Sequence, residues 1–148
     1  MNPYSNQQNA YRKASVNTLD QQKLIIMLYD GAIKNSGFAI QHMEKNEVEK
    51  AHIALVKAKN IVSELMASLN MEKGGDVAKN LKSLYAYMFS QLIEANMHKD
   101  PKPVIAVIGL LKELRQAWVH IGSAGKKTPA PEMKPPGLSD EKRLNLKG

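Results

Sequence analysis

Two pairs of glutamate and histidine are the residues of this chain whose spacing could bind a metal ion. Four-helix bundles hold di-metal carboxylate sites with two Glu-x-x-His pairs and two further glutamates that point inward. Glu49 and His52 have this spacing, but the pattern occurs once, because His98 follows Glu94 by four residues rather than three. Both pairs also flank the apolar positions of their helices instead of joining them. The sequence therefore predicts surface residues here, with no metal and no cofactor, and a metal-binding bundle enzyme is kept only as an alternative.

Other catalytic patterns do not occur in the sequence. The 148 residues include no cysteine, so neither a disulfide framework nor a thiolate metal site can form. No nucleophile elbow or Ser/His/Asp arrangement is recognisable. Gly74 and Gly75 are followed by neither a Lys-Ser/Thr pair nor a third spaced glycine, so they predict a loop rather than a phosphate-binding site. We expect a binding protein and not an enzyme.

The net charge of +7 raises the question of nucleic-acid binding. Residues 1–121 carry 15 basic and 11 acidic side chains, and residues 122–148 carry 6 basic and 3 acidic ones. Within the helical stretches Lys and Glu alternate, as at Glu47, Lys50 and Lys57. Mixed charges at helical spacing are typical of a solvated face rather than of a phosphate-binding stripe. The sequence therefore predicts no nucleic-acid partner.

The sequence shows neither a signal peptide nor a membrane span. Residues 1–10 are polar and lack the apolar segment of a secretory signal. A membrane helix needs about 18 consecutive apolar residues, and no such run occurs. We therefore expect a cytoplasmic protein without membrane insertion.

Residues 23–33 organise the predicted fold, because their apolar side chains fall on two neighbouring helical stripes. Thr18 fits the first position of a capping box, so this helix should begin there and run to about Lys45. The interior glycines Gly31 and Gly37 suggest the close approach of another backbone, that of a neighbouring helix, and a local bend is the alternative. A helix with two apolar sides should be the central helix of a bundle. The stripes are Ile25, Leu28, Ala32, Ala39 and Met43, and Ile26, Tyr29, Ile33 and Ile40.

Three more helices are expected. Asn46 should cap the second helix, a loop at residues 72–75 should follow it, and the third should span residues 76–98. Asp100 should cap the fourth, with Pro101 in its first position. The expected core stripes are Val48, Ala51, Leu55, Ala58, Val62, Leu65 and Leu69 in the second helix, Val77, Leu81, Leu84, Met88, Leu92 and Ala95 in the third, and Val104, Val107, Leu111, Leu114, Trp118 and Ile121 in the fourth.

The predicted fold class is all-α, an antiparallel four-helix bundle, because the connections between the helices are short. Residues 18–122 should form this bundle. Residues 1–17 have no helical period and should form a flexible N-terminal arm. Residues 123–148 contain four prolines and little periodicity, so they predict a disordered basic tail.

Five sequence elements resemble, in order, the flagellar export chaperones of the FliS type. Together they cover about residues 2–121, and this combination is more specific than any single element. The elements are Asn2-Pro3-Tyr4 with Tyr11, the run Leu24-Ile25-x-Met27-Leu28-Tyr29-Asp30-Gly31-Ala32-Ile33, Lys57-Ala58-x-x-Ile61-Val62-x-Glu64-Leu65, Leu84-Tyr85-x-Tyr87-Met88 with Glu94-Ala95-Asn96, and Leu114-Arg115-x-Ala117-Trp118.

The resemblance implies a function in binding. Members of this family hold the disordered C-terminal segment of flagellin in grooves of the bundle and prevent its premature polymerisation before type III export. Flagellar export-gate components or flagellar regulators are further partners that such a chaperone could bind, and an adaptor for a different amphipathic helix is an alternative. Apolar surface beyond the core stripes would supply the grooves. The residues we expect to contact the client are Tyr4, Tyr11, Tyr29, Ile61, Leu65, Tyr85, Phe89 and Trp118.

Overall fold

A computed structural model describes residues 18–124, which form four α-helices. These are α1 (Thr18–Glu44), α2 (Val48–Ala67), α3 (Met71–His98) and α4 (Pro101–Ala124). Helix α1 packs against α2 and α4, and α3 packs against the same two helices, whereas the diagonal pairs do not approach each other closely. The prediction of an all-α antiparallel four-helix bundle is confirmed.

The core consists of one buried stripe from each helix. In α2 and α4 the stripes are largely the predicted ones, although Val48 is exposed. In α1 the buried residues form a single stripe that includes members of both predicted stripes. Successive buried residues are three or four positions apart, as expected for one face of a helix. The buried residues of α1 are Gln22, Ile25, Tyr29, Ala32, Ser36 and Ala39.

The buried face of α3 differs from the predicted one at two positions, and at each the buried residue is the one that follows the predicted residue in the chain. Ala78 and Tyr85 are buried, whereas Val77 and Leu84 lie only partly buried beside the core. A helix of 3.6 residues per turn accepts a core residue either three or four positions after Leu81. Leu84 was expected because it is aliphatic, but Tyr85 occupies the interior position and reaches hydrogen-bond partners there.

Helix α3 also begins earlier than predicted. Asn70 is its N-cap, and the Asn70 side chain accepts a hydrogen bond from the Lys73 amide over 2.9 Å. A helical turn from Met71 therefore occupies the expected loop. The predicted break is reduced to a kink at Gly75, where φ of 55° combined with ψ of −135° is a conformation that glycine adopts readily and other residues do not.

Of the capping predictions for the two other turns, the one for α2 is wrong and the one for α4 is confirmed. Asn46 is not the N-cap of α2, because it has a left-handed φ of 60° and Glu47 occupies the cap position. Asp100 was correctly predicted, since its Oδ1 accepts a hydrogen bond from the Lys102 amide over 3.0 Å and α4 begins at Pro101.

Helix α4 includes Gly122, although glycine is typical of a helix end, and it extends to Ala124. The tail predicted to begin at residue 123 therefore contributes two residues to this helix. The expectations for residues 1–17 and 125–148 lie outside the described residues. Within the described helices, none is long and apolar enough to cross a membrane.

Candidate binding groove

The two Glu/His pairs do not assemble a metal site in the described part of the chain. Glu94 and His98 form an exposed pair with 3.2 Å between Oε2 and Nε2. His52 instead lies beside α3, where its Nδ1 accepts a hydrogen bond from Asn96 Nδ2 over 2.9 Å. Across residues 18–124, no three His, Asp or Glu side chains converge in a way that could hold a metal ion.

Three of the residues expected to contact a client meet instead in the middle of the bundle. The hydroxyl oxygens of Tyr29 and Tyr85 are 2.5 Å apart, and Trp118 Nε1 donates a hydrogen bond to Tyr29 over 3.1 Å. All three side chains are buried. Burial raises the pKa of both tyrosines, and for Tyr29 the neighbouring Tyr85 raises the pKa further while the bond from Trp118 lowers it.

The two residues after Tyr29 also contact other helices. The Asp30 carboxylate forms an ion pair with Arg115 of α4, which raises the pKa of Arg115. Gly31 faces Ile61 of α2, whose Cδ1 would lie 3.1 Å from a Cβ atom at this position. Close approach was therefore correctly expected at Gly31, although a side chain and not a backbone approaches it. At Gly37 nothing lies within 4 Å, so the expectation is wrong there.

The structure corrects the expectation that these aromatic residues line an open groove. Tyr29, Leu65, Tyr85 and Trp118 belong to the core cluster and have almost no exposed surface. Their positions follow from their contacts, because each fills space between helices and the three polar ones bond to one another. None of these four side chains lies on the surface of the bundle in the described structure.

The other expected contact residues are divided between two places. Ile61 is partly buried on the side of α2 that faces α1, as its contact with Gly31 shows. Phe89 is partly buried on the side of α3 that faces α2, where Lys59 Nζ lies 5.4 Å from the centre of its ring. Ile61 and Phe89 therefore do not form one groove. Tyr4 and Tyr11 lie outside the described residues.

An apolar groove does lie between α2 and α3, beside Phe89. We call it the α2–α3 groove; its volume is about 490 Å³. Its residues come from the first half of α2 and from the last turns of α3, so it lies at the end of the bundle where α3 stops. The groove is lined by His52, Leu55, Val56 and Lys59 of α2 and by Leu92, Ile93, Asn96, Met97 and Lys99 at the end of α3.

The lining of the groove is mostly apolar and includes two lysines, Lys59 and Lys99. Leu55 and Leu92 belong to the core and form its base, while Ile93 and Met97 keep 40% and 69% of their surface exposed. Exposed aliphatic side chains beside a concavity are what a protein-binding surface requires.

Helix periodicity could have identified half of this groove. Ile93 and Met97 follow Phe89 by four and eight residues, so the three side chains form one apolar side of α3 next to its core stripe. On α2 the lining residues Val56 and Lys59 lie next to charged or polar neighbours, so no apolar run distinguishes them. The pairing of the two helix faces depends on the rotation of α2, which the sequence alone does not define.

Comparison with known proteins supports the family resemblance. The family described as flagellar protein FliS matches residues 4–125. This chain belongs to the FliS family. The FliS match includes all residues of the α2–α3 groove and also Tyr29, Tyr85 and Trp118.

Curated FliS proteins from distant bacteria are similar over most of their length. The flagellar secretion chaperone FliS of Salmonella typhimurium is 38% identical over 110 residues, which are 74% of this chain and 82% of that protein. The flagellar secretion chaperone FliS of Bacillus subtilis is 34% identical over 117 residues, covering 79% and 84% respectively. The corresponding protein of Vibrio cholerae is 35% identical over 116 residues. This chain is thus a member of a flagellar secretion chaperone family.

Proposed function

We propose that this FliS-family protein binds the C-terminal segment of flagellin in the cytoplasm and keeps it unpolymerised until flagellar type III export. The proposal rests on family membership and on one structural observation, the α2–α3 groove with its exposed Ile93 and Met97. Further large apolar side chains on other faces, such as Met27, Phe38 and Ile105, are exposed as well. An elongated segment that wraps around the bundle could contact several of these surfaces.

Binding, and not catalysis, is the mechanism that these features support. A disordered segment that folds against a helical bundle can cover a large surface, while the entropy lost on ordering moderates its affinity. Moderate affinity suits a client that must be released for export. Helix-in-groove recognition requires rows of exposed aliphatic side chains on the chaperone, and α3 presents such a row.

Titration calorimetry tests the proposal directly. A peptide with the C-terminal segment of flagellin from the same organism is titrated into the full-length chain, and a scrambled peptide of equal composition serves as the control. We expect saturable binding of the native peptide with a negative heat-capacity change, the sign of buried apolar surface. A parallel assay should show that the chain delays flagellin polymerisation. Equal heats from both peptides would contradict the proposal, and binding of another amphipathic helix alone would indicate an adaptor.

A further inference from the structure

Methionines are the most exposed of the large apolar side chains that the structure describes. Met97, near the end of α3, keeps 69% of its surface exposed, and Met27 of α1 keeps 65%. Val48 and Ile105 are the next in order, with 59% and 56%, but their side chains consist of carbon and hydrogen alone and are chemically inert. A methionine thioether is soft, polarisable and open to oxidation. Because the chain has no cysteine, its sulfur chemistry belongs to methionine alone.

The methionines of the described helices differ widely in their access to solvent. Three are exposed, two are partly buried beside the core, and one lies within the core. Oxidation of a thioether requires the oxidant to reach the sulfur atom, so exposure predicts the order in which the side chains react. From the exposed to the buried, they are Met97, Met27 and Met71, then Met43 and Met66, and finally Met88.

The reaction that fits the exposed positions is oxygen transfer from a peroxide. The sulfur lone pair attacks one peroxide oxygen, so that an S–O bond forms and the O–O bond breaks. Sulfur loses an electron pair, and the second oxygen of hydrogen peroxide leaves as water with both protons. The product, methionine sulfoxide, is polar, and methionine sulfoxide reductases return it to the thioether. The modification is therefore reversible.

A sulfoxide at Met97 or Met27 leaves the core unchanged. Most of each side chain is in contact with solvent, so a polar oxygen there remains hydrated. Met88 is the opposite case, because it is fully buried and a sulfoxide there would disrupt the packing of the core. The fold that exposes two thioethers thus protects the one whose oxidation would be destructive.

Both exposed methionines belong to apolar surroundings. Met97 lines the α2–α3 groove together with Ile93, which is itself exposed. Met27 lies between Ile26 and Leu28, which are partly buried against the core. Oxidation at either position therefore introduces a hydrogen-bond acceptor into an apolar part of the surface.

We propose that Met97 and Met27 are sites of reversible oxidation by peroxide, which makes the surface of the folded bundle more polar. The sites follow from exposure and thioether chemistry alone. Their consequence rests on the proposed function, because a surface that binds apolar side chains of flagellin loses affinity when its own thioethers become sulfoxides. The protein then binds its client more weakly under oxidising conditions and recovers its affinity after reduction.

Peptide mapping by mass spectrometry tests the sites. The full chain is treated with limiting hydrogen peroxide, digested and searched for peptides that have gained one oxygen atom. We expect Met97 and Met27 to be modified first and Met88 to stay reduced until urea unfolds the chain. Faster oxidation of the partly buried Met43 or Met66, or a lower urea midpoint once Met97 and Met27 alone are oxidised, would overturn the assignment.

Leucine variants test the consequence, each compared with its own untreated sample. In the double variant Met27→Leu with Met97→Leu, both sites lose the sulfur atom but stay apolar, and the six other methionines remain. Peroxide should weaken binding of the flagellin C-terminal peptide about fivefold in wild type and less than about twofold in the double variant. Met71→Leu, which removes an exposed methionine at the start of α3, is the matched control and should lose affinity like wild type. Treatment of oxidised wild type with methionine sulfoxide reductases should restore its affinity.

The outcomes separate this inference from the proposed function. If untreated wild type does not bind the peptide, the proposed function fails, and the peptide map still decides whether the two methionines are the oxidation sites. If untreated wild type binds and oxidised wild type binds equally well, flagellin remains the client and the redox effect is overturned. An equal loss of affinity in wild type and in the double variant would assign the effect to other methionines and overturn it as well.

Discussion

The hydroxyl groups of Tyr29 and Tyr85 are hydrogen-bonded to each other at the centre of the bundle, 2.5 Å apart, although their helices are diagonal to each other. Trp118 of α4 adds a third member, since its indole N–H donates to Tyr29. Aromatic side chains are long enough to join helices whose backbones do not approach closely. A buried cluster of this kind favours one rotation of each helix over others, because any slip would leave polar groups without partners.

The consecutive residues Tyr29, Asp30 and Gly31 together contact all three other helices. Tyr29 bonds to α3 and α4, Asp30 pairs with α4, and Gly31 receives the Ile61 side chain of α2. Four of the five sequence elements that resemble the FliS family, those within the described residues, therefore meet one another in space. Their shared role in the described structure is to hold the bundle together.

Removing the Tyr29 hydroxyl should destabilise the bundle more than removing the Tyr85 hydroxyl. Tyr85→Phe takes away one hydrogen bond, which contributes about 0.5–1.5 kcal/mol to the free energy of unfolding. Tyr29→Phe also leaves the buried Trp118 N–H unpaired, which should raise the loss to about 1–3 kcal/mol. Urea denaturation measures both, and Tyr87→Phe at a half-exposed tyrosine should change stability by less than about 0.5 kcal/mol. A greater loss for Tyr85→Phe would contradict the assigned bonding.

Truncation at Tyr85 should affect folding rather than client recognition. Tyr85→Ala opens a cavity in the core and should cost about 3–5 kcal/mol of unfolding free energy. The expectation that Tyr85 lies on the client surface would have left the fold stable and lowered affinity. Thermal unfolding together with calorimetry on the folded fraction distinguishes the two, and weakened binding by a bundle of unchanged stability would return Tyr85 to the client site.

The tyrosine pair should make the bundle sensitive to alkaline pH. An ordinary tyrosine ionises at a pKa of 10.0, and burial raises the pKa of Tyr29 and Tyr85 in the folded state. Above about pH 10 the unfolded chain has lost these protons and the folded chain keeps them. The stability that the protonated tyrosines contribute should therefore be complete below that pH. As the pH rises further, the free energy of unfolding should fall by up to about 1.4 kcal/mol per pH unit for each tyrosine.

Phenylalanine variants isolate this effect from the lysines, which titrate in the same range. Tyr85→Phe should lose less stability than wild type between roughly pH 9 and 11, because one buried phenol no longer contributes. Tyr87→Phe, which removes a half-exposed phenol outside the core, is the matched control. Parallel slopes for all three proteins would contradict a role of the buried pair in alkaline unfolding.

Helix order, most helix ends and the core faces of α2 and α4 could be predicted from the sequence. Asp100 with Pro101 is an unambiguous start signal, and an uninterrupted spacing of three and four residues defines a single face. The choice between Leu84 and Tyr85 could not be made, because both positions fit the helical period. The hydrogen-bond partners that favour Tyr85 belong to two other helices.

The α2–α3 groove could be predicted only in part for a related reason. Residues that carry a family resemblance can serve the fold or the function, and Tyr29, Tyr85 and Trp118 serve the fold here. Of the expected residues, Phe89 is the one beside the α2–α3 groove. The groove itself arises where α2 and α3 face each other, and its basic residues Lys59 and Lys99 look like ordinary solvated lysines in the sequence.

The turn between α1 and α2 should shift the titration of one carboxyl group. His42 Nδ1 lies 2.6 Å from Glu47 Oε1, and this hydrogen bond lowers the pKa of Glu47 below its ordinary 4.5. The contact therefore stabilises the turn above that pH and is lost as the pH falls through the lowered pKa. Carboxyl NMR titration should show the Glu47 pKa returning toward its ordinary value in His42→Gln. His98→Gln, which removes a partner of Glu94, should leave Glu47 unchanged.

The two interior glycines of α1 should respond differently to alanine. Gly37→Ala adds a methyl group where nothing lies within 4 Å, so the better helix propensity should stabilise the bundle by about 0.5–1 kcal/mol. Gly31→Ala should gain less, because its Cβ would meet Ile61 Cδ1 at 3.1 Å. Combining Gly31→Ala with Ile61→Val removes that atom and should recover the helix-propensity gain relative to Ile61→Val alone. Urea denaturation of the complete cycle measures the coupling, and equal gains at Gly31 and Gly37 in the wild-type background would show that Ile61 does not restrict this position.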